Sequence, residues 1–292
     1  MTVKPRLIAA IALSSLMLWG CGEESNTDIP DITDPSGDTV PELPADPQEG
    51  STSFTHRILL LQHTGTYCPN CPRLMSSLKE LSEDKEYNGL YHHVAAHSYN
   101  EEGDAAYSTA AANLSQAFCS GYYPELTFNL TTANTGTSTD VSSIKENIDR
   151  LIKETADAGI SASAALDGNT ITVHAEIKAA KEGAYRIAAW LLEDGIESEQ
   201  EGASESWQHI HNNAVRAMAG SSLNLRIYGE KTGTLSPGSK AGKTFSITME
   251  EGWNAENCKI LILANATDSN GKVDIVNCTI CPIGEKVEYE YR

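Results

Sequence analysis

The clearest hydrophobic pattern in the chain is an uninterrupted apolar run, Ile58 to Leu61, inside the stretch HRILLLQHTG. A run of this kind is typical of a central strand that is buried on both faces. After a short loop, Pro72 fits the first turn of a helix. Apolar residues then recur at the spacing of one helical face, at Leu74, Met75, Leu78 and Leu81. This region therefore predicts a buried strand, a loop and an amphipathic helix.

The same kind of pattern continues to about residue 156. Pro124 leads into an apolar stretch, and Asp140 stands where it can cap a helix. The predicted elements are a strand at Leu90–Tyr99, an Ala-rich helix at Asp104–Phe118, a strand at Tyr122–Leu130 and a helix at Val141–Ala156. We interpret residues 54–158 as one α/β domain in which helices flank a mixed sheet.

From Ile160 onward the pattern changes to short apolar stretches separated by turn residues, and we expect no helix there. The stretch Asp167–Asn169 predicts a tight turn between two strands. Further strands are predicted at Tyr185–Asp194, in NAVRAMAG, and at Lys243–Met249, Cys258–Asp268 and Lys272–Ile280. Strands spaced in this way predict an all-β antiparallel sandwich of the immunoglobulin-like kind over residues 159–292.

The N-terminus carries a targeting signal rather than a folded element. Residues 1–20 predict a secretory signal peptide, because basic residues precede an apolar stretch that is too short for a permanent membrane span. Gly20 directly before Cys21 resembles the lipobox of bacterial lipoproteins, which implies that Cys21 becomes the acylated N-terminus. Glu23 and Glu24 resemble the acidic export tag of some surface lipoproteins and favour surface exposure.

Residues 21–53 predict a tether between the acylated cysteine and the folded part. The segment from Glu23 to Gly50 is rich in acids and prolines and contains neither a basic nor an aromatic residue. Such a segment buries too little apolar surface to offset the entropy of ordering it, so we expect it to be disordered. The formal net charge of −19 argues against nucleic acid as a partner. Membrane attachment is therefore expected through the N-terminal lipid.

The loop after the first strand contains the sequence CPNC, residues Cys68 to Cys71. A cysteine at the start of a helix has its thiolate stabilised by free backbone N–H groups and the helix dipole, which lowers its pKa. We assign Cys68 as the nucleophilic, exposed sulfur and Cys71 as the resolving thiol. The alternatives are a static structural disulfide and a zinc site shared with Cys278 and Cys281.

The order of elements in residues 54–158, with Cys68, Cys71 and Pro124, resembles the thioredoxin-like fold. In that family a cis-proline loop packs against the CxxC disulfide, which gives Pro124 a place in the site. Two residues depart from the family pattern: Gln62 stands where thioredoxins bury an acid that assists proton transfer, and Tyr67 replaces the usual tryptophan. The strand that normally follows the proline-led strand is not evident in the sequence TTANTGTST.

The whole chain resembles lipoproteins related to the twenty-eight-kilodalton outer-membrane protein of anaerobic Gram-negative bacteria. The segments that carry this resemblance are the lipobox, CPNCP and HNNAVRAM. It implies a lipid-anchored outer-membrane protein with a thioredoxin-like domain, and it implies no substrate.

The remaining cysteines and the histidines are assigned structural roles. Cys258 begins one predicted strand and Cys278 ends another, so we predict a disulfide from Cys258 to either Cys278 or Cys281. His209 and His211 share a face on a strand without a third ligand in view. The same holds for His93 and His97, and we expect neither a metal nor a cofactor.

Two functions fit these observations. The first is thiol–disulfide exchange or a redox-responsive role in the cell envelope, through Cys68 and Cys71, with an unidentified protein thiol or disulfide as partner. The second is a non-catalytic surface binding or adhesion lipoprotein, in which the fold is a scaffold and the β-sandwich makes the contacts. Fold alone does not separate them.

Overall fold

The computed structural model describes residues 40–136 and 140–292. These residues form one compact unit. The predicted signal peptide, Cys21 and the first part of the predicted tether lie outside the described residues. No helix of residues 40–136 and 140–292 is both long enough and apolar enough to cross a membrane.

The first half of the described chain contains the predicted alternation of strands and helices. Its elements are β1 (Ile58–Thr64), α1 (Cys71–Glu83), β2 (Tyr91–His97), α2 (Thr109–Phe118), β3 (Glu125–Phe128), β4 (Thr131–Gly136) and α3 (Val141–Leu151). Asp140 caps α3 as predicted, because its side chain accepts a hydrogen bond from the N–H of Ser143. Helix α2 begins later than predicted, since Ser108 and not a residue near Asp104 caps its N-terminus. β4 is the strand that the sequence did not reveal.

The second half is dominated by antiparallel strands. Its elements are β5 (Ala158–Asp167), β6 (Thr170–Ala179), β7 (Gly183–Glu193), β8 (Ile196–Glu197), β9 (Ile210–His211), β10 (Ala214–Met218), α4 (Leu223–Tyr228), β11 (Glu230–Leu235), β12 (Lys240–Thr248), β13 (Cys258–Thr267), β14 (Val273–Pro282) and β15 (Lys286–Val287). The predicted strands are present, and Asp167 pairs with Thr170 across the predicted turn. The expectation of no helix is wrong, because Ser222 caps the short helix α4.

A nine-stranded mixed sheet joins the two halves, in the order β14-β13-β7-β10-β2-β1-β3-β4, with β11 also paired to β7. β1 and β2 are parallel, whereas β3 runs antiparallel to β1. β10 pairs along β7 but meets β2 only at Ala214 and Ala95. The large sheet therefore contains strands from both sides of the division predicted between residues 158 and 159.

A second, four-stranded antiparallel sheet, in the order β12-β6-β5-β15, packs against one face of the large sheet. The layer between them is apolar and includes Ile177, Ile187 and Ile262. On the other face, Leu114 of α2 and Ile227 of α4 cover Trp190 and its neighbours. The predicted sandwich thus exists as two facing sheets, but helices cover the outer face of one of them.

The cysteines of the second half are not bridged, so the predicted disulfide of Cys258 is wrong. Cys119, Cys258, Cys278 and Cys281 are all free. In the β13–β14 pair, Cys278 lies opposite Leu263 and Cys281 opposite Ile260. The register therefore places no cysteine across from Cys258, and burial raises the pKa of the Cys258 thiol to about 12.

The end of the predicted tether is also ordered rather than free. Asp46 and Lys178 form a buried ion pair at 2.9 Å, with exposed side-chain fractions of 3% and 1%. Lys240 and the hydroxyl of Tyr291 also donate to the Asp46 carboxylate. Burial alone would raise the pKa of Asp46, but these hydrogen bonds outweigh it and hold the pKa well below its usual range. The acidic segment supplies a counter-ion that the charge of Lys178 requires, which is why it docks.

Asp46→Ala is expected to lower the free energy of unfolding by about 3–5 kcal/mol, since it leaves the Lys178 ammonium buried without its anion. Because the pKa of Asp46 is lower in the folded state, this stabilisation is present at neutral pH and is lost as the pH falls below about 3.9. Urea unfolding at pH 7 measures the change. Glu42→Gln is the matched control, since the Lys286–Glu42 pair is exposed and should cost less than about 1 kcal/mol. Equal costs for the two variants would contradict this account.

Candidate functional site

The two cysteines of the CPNC sequence form a disulfide at the start of α1. Cys71 is the first residue of the helix, and Cys68 lies in the turn before it, where the N–H of Cys71 donates to the carbonyl of Cys68. Asn70 occupies the N-cap position without a side-chain capping bond. The positive end of the helix dipole therefore lies beside the two sulfurs, where it favours negative charge on a cysteine sulfur.

Pro124 lies beside the end of β1, as its place in the strand pairing requires. We call residues 65–70, between β1 and α1, the cysteine loop. His63 of β1 pairs with Glu125 of β3, so Pro124 stands next to the point where the chain leaves the sheet and enters this loop. The Tyr123–Pro124 peptide bond is cis, as predicted. The ring of Tyr123 packs edge-on against Tyr99, which follows β2. The cysteine loop and the proline loop thus meet at one edge of the sheet.

A segment between β7 and β10 covers the cysteine loop; we call residues 196–211 the strap. Gln200 is buried within it, and its amide nitrogen donates to the carbonyls of Thr66 at 3.1 Å and Cys68 at 3.0 Å. The N–H of Glu201 donates to the carbonyl of Thr66 at 2.7 Å. These bonds fasten the strap to the backbone of the loop on the N-terminal side of the disulfide.

Two further strap residues hold the other side of the loop. Gly202 packs directly on the backbone of Pro69: a Cβ on Gly202 would be 2.2 Å from the Pro69 carbonyl oxygen. The side-chain amide of Gln208 donates to the carbonyl of Pro72 at 3.1 Å and to the Ser76 hydroxyl at 3.2 Å. The expected exposure of Cys68 is therefore wrong for this state: its exposed fraction is 1%, and that of Cys71 is 0%.

His97 and Asp104 brace the loop from beneath. The His97 ring contacts the Asp104 carboxylate at 3.0 Å, and the N–H of Thr66 donates to the same carboxylate oxygen at 2.9 Å. Burial alone would raise the pKa of Asp104, but the hydrogen bonds from His97, Thr66 and Ala106 outweigh it and lower that pKa. Asp104 is thus an ionised anchor for the residue two positions before Cys68. Asp104 was predicted to lie in a helix but precedes α2, and no local sequence pattern indicates its role here.

A groove of about 680 Å³ runs along α1, on the face of the sheet that carries His97 and the strap. Its floor includes Gln62 and His93, and the strap side is formed by residues such as Trp207 and His211. His93 Nε2 contacts the Gln62 carbonyl oxygen at 2.9 Å, while the Gln62 amide nitrogen is buried without a partner. The position that is acidic in thioredoxins is therefore an amide linked to an imidazole.

His93, His97 and His211, which were predicted to be structural, line this groove. Burial lowers the pKa of His63, His92, His93 and His211 to about 4. His211 contacts the carbonyl of Ser198, and its ring packs edge-on against His97. In residues 40–136 and 140–292 no group of three or more His, Cys, Asp or Glu side chains is arranged to hold a metal ion. Cys278 and Cys281 lie in β14 and form no such group with Cys68 and Cys71.

The family model for outer membrane protein Omp28 matches residues 117–286, which is more than half of the chain. The chain belongs to the Omp28 family. Membership supports a location at the outer membrane, as predicted. The matched residues begin after Cys68 and Cys71, so the family match covers β3 onward and the strap but not the disulfide.

Solved structures extend the comparison to the fold. The chain is similar to HBP35 of Porphyromonas gingivalis, with a TM-score of 0.64 and 14% identity over 82% of this chain and 78% of that one. Protein AGR_C_4864 from Agrobacterium tumefaciens matches with a TM-score of 0.49 and 14% identity, over 82% of this chain and 99% of that one. No curated protein is similar enough in sequence to match.

Gly202→Ala should open the strap and speed reduction of the Cys68–Cys71 disulfide by dithiothreitol, because the new Cβ displaces the strap from Pro69. We expect an acceleration of about tenfold or more, measured by quenched alkylation and mass spectrometry. Gly238→Ala is the control: it has a similar positive φ of 82° but open space around its Cβ. Reduction at the parent rate in both variants would show that the strap does not limit access.

Stability should fall as the pH falls from about 6.5 towards 4. Unfolded histidines bind protons in this range, whereas burial holds the pKa of five folded histidines, His56 included, near 4. Each contributes a slope of about 1.4 kcal/mol per pH unit to the free energy of unfolding. His63→Asn should remove one such contribution between pH 5 and 6, as measured by urea unfolding. An unchanged slope would show that His63 is protonated in the folded protein.

Proposed function

We propose that this outer-membrane protein carries a thioredoxin-like unit in residues 54–158 and exchanges thiols and disulfides through Cys68 and Cys71. The observation that carries the proposal is the disulfide at the first turn of α1, next to the loop of Pro124. The strand order β2-β1-β3-β4, with β3 antiparallel to β1, supports the fold assignment. Anchorage through a lipid on Cys21, with exposure at the cell surface, belongs to the same proposal.

In the exchange, a partner thiolate attacks the sulfur of Cys68. The Cys68–Cys71 bond breaks, and Cys71 leaves as a thiolate and takes up a proton. A second thiol of the partner then attacks the mixed disulfide, so that the partner loses two electrons and both cysteines end as thiols. The N-terminus of α1 favours the thiolate forms during this sequence.

Two features of the site make this exchange slow. Both sulfurs are covered while the strap is docked, so opening of the strap precedes attack. Gln62 holds no acidic proton to give to or take from Cys71, and its carbonyl oxygen is already bonded to His93. We therefore propose slow, partner-triggered exchange rather than rapid turnover.

A second function, non-catalytic binding, is favoured by one specific observation. The bonds of Gln200, Glu201 and Gln208 to the cysteine loop are those of a permanent structural contact. In that case the disulfide is a static brace, and the two facing sheets carry the binding surface.

Two measurements separate these functions. Equilibration in glutathione or dithiothreitol buffers should give the Cys68–Cys71 pair a reduction potential between about −270 and −120 mV if it exchanges, and below about −300 mV if it is a static bridge. Cys71→Ser should also trap a mixed disulfide through Cys68 with the natural partner in intact cells. Cys68→Ser is the control and should trap none. A reduction potential below about −300 mV, together with no trapped adduct, would refute the exchange function.

A further inference from the structure

The loops around the Cys68–Cys71 disulfide contain no basic residue. They belong to residues 58–72, 86–144 and 187–215, and none of the 21 Lys and Arg side chains of the protein falls in these segments. Basic residues near the cysteines and the strap include Arg73 and Lys79, both exposed on α1, with the Lys79 ammonium 5.9 Å from the Trp207 ring. Arg216 on β10 is buried in an ion pair with Glu193. The exposed charge contributed by these loops is therefore negative.

The exposed carboxylates of this region belong to two segments of the chain. The loop after β2 contributes Glu101 and Glu102. The strap contributes Glu197, Glu199, Glu201 and Glu205, all exposed. The hydrogen bond from the N–H of Glu201 to the carbonyl of Thr66 places Glu201 beside the cysteine loop, and the other three glutamates lie on the same strap. Gly103 follows Glu102, and a Cβ on Gly103 would lie 2.4 Å from the Tyr67 hydroxyl. Glu101 and Glu102 are therefore also close to the cysteine loop.

Aromatic rings are exposed in the same place. Tyr67, Tyr99 and Tyr122 have exposed fractions of 45%, 48% and 69%, and they are three of the five large apolar or aromatic side chains that are exposed among the described residues. Tyr67 directly precedes Cys68, and Tyr122 stands two positions before Pro124. Tyr99 packs on Tyr123 and lies against Gly65, between the two loops. Solvent-exposed rings beside carboxylates bind Lys and Arg side chains through cation–π and charge attraction.

We propose that these three tyrosines and six glutamates, which we call the acidic aromatic face, bind cationic polypeptide segments. Charge complementarity selects the occupant, because nucleic acids and anionic surfaces are repelled by the same carboxylates. The rings stand on three separate loops, so the ligand must be an extended chain rather than a small cation. For its redox part the inference rests on the proposed function: partners that exchange with Cys68 carry Lys or Arg beside their cysteine.

Binding is tested first without any cysteine chemistry. Two labelled 12-residue peptides are compared by fluorescence anisotropy on the full chain, one with four lysines and one with four glutamates, each with serine at the central position. The lysine peptide should bind about tenfold more tightly or better, and its affinity should fall as salt is raised. Equal affinities would overturn the inference.

Charge-matched variants separate the face from the overall charge of −19. Glu101→Gln/Glu102→Gln should weaken binding of the lysine peptide several-fold. Glu154→Gln/Glu182→Gln makes the same change in net charge on exposed residues outside the face, with Glu182 beyond the opposite end of β7 from the strap, and should leave binding unchanged. Equal losses in both pairs would mean that only long-range charge acts, and the proposed face would be wrong. Tyr122→Ser should also weaken binding, while Tyr122→Phe should not.

The same peptides with cysteine in place of serine, supplied as mixed disulfides with thionitrobenzoate, then test exchange with the reduced Cys71→Ser variant. Cys68 attacks the peptide sulfur, and released thionitrobenzoate reports the rate, which should be higher for the lysine peptide. Selective binding of the serine peptide with no exchange would refute the proposed function and leave the face intact. Exchange that is equally fast with both cysteine peptides would support the function and refute the face.

Discussion

The short contact between β10 and β2 determines how the site is built. β10 pairs along the end of β7 and reaches β2 at the single pair Ala214 and Ala95. This contact brings the C-terminal end of β7 next to the C-terminal ends of β1 and β2, where the cysteine loop begins. The chain between β7 and β10 therefore starts and ends near the disulfide. Strand order brings this segment close to Cys68, and the hydrogen bonds of Gln200 fasten it over the cysteine loop.

Much of the first half could be predicted because its signals are local. The run from Ile58 to Leu61, the helical spacing that follows Pro72 and the cap at Asp140 each report on neighbouring residues. Each element begins where expected, although α3 ends at Leu151 rather than at Ala156. β4 escaped prediction because TTANTG has little apolar content, and only its pairing with β3 makes it a strand.

The features that the sequence could not reveal depend on contacts between distant residues. The strap sequence IESEQEGASESWQHIH is polar and reads as a loop, and its amides recognise backbone carbonyls more than 120 residues earlier. The predicted disulfide of Cys258 failed because strand register, which no local pattern fixes, sets its opposite neighbour. Docking of Asp46 depends on Lys178, 132 residues away, and composition alone predicted disorder there. The only available signal was a lysine inside an apolar strand, which requires an anion from elsewhere.

The four unbridged cysteines of residues 40–136 and 140–292 have a consequence for disulfide scrambling. Burial raises the pKa of Cys278 to about 12 and that of Cys281 to about 11, and it also raises the pKa of Cys119 and Cys258. A thiol in this condition is almost never a thiolate at neutral pH, and only the thiolate attacks a disulfide. These cysteines are thus poor attackers of the Cys68–Cys71 disulfide. The fold insulates one sulfur pair from scrambling with the rest without having to remove the other thiols from the chain.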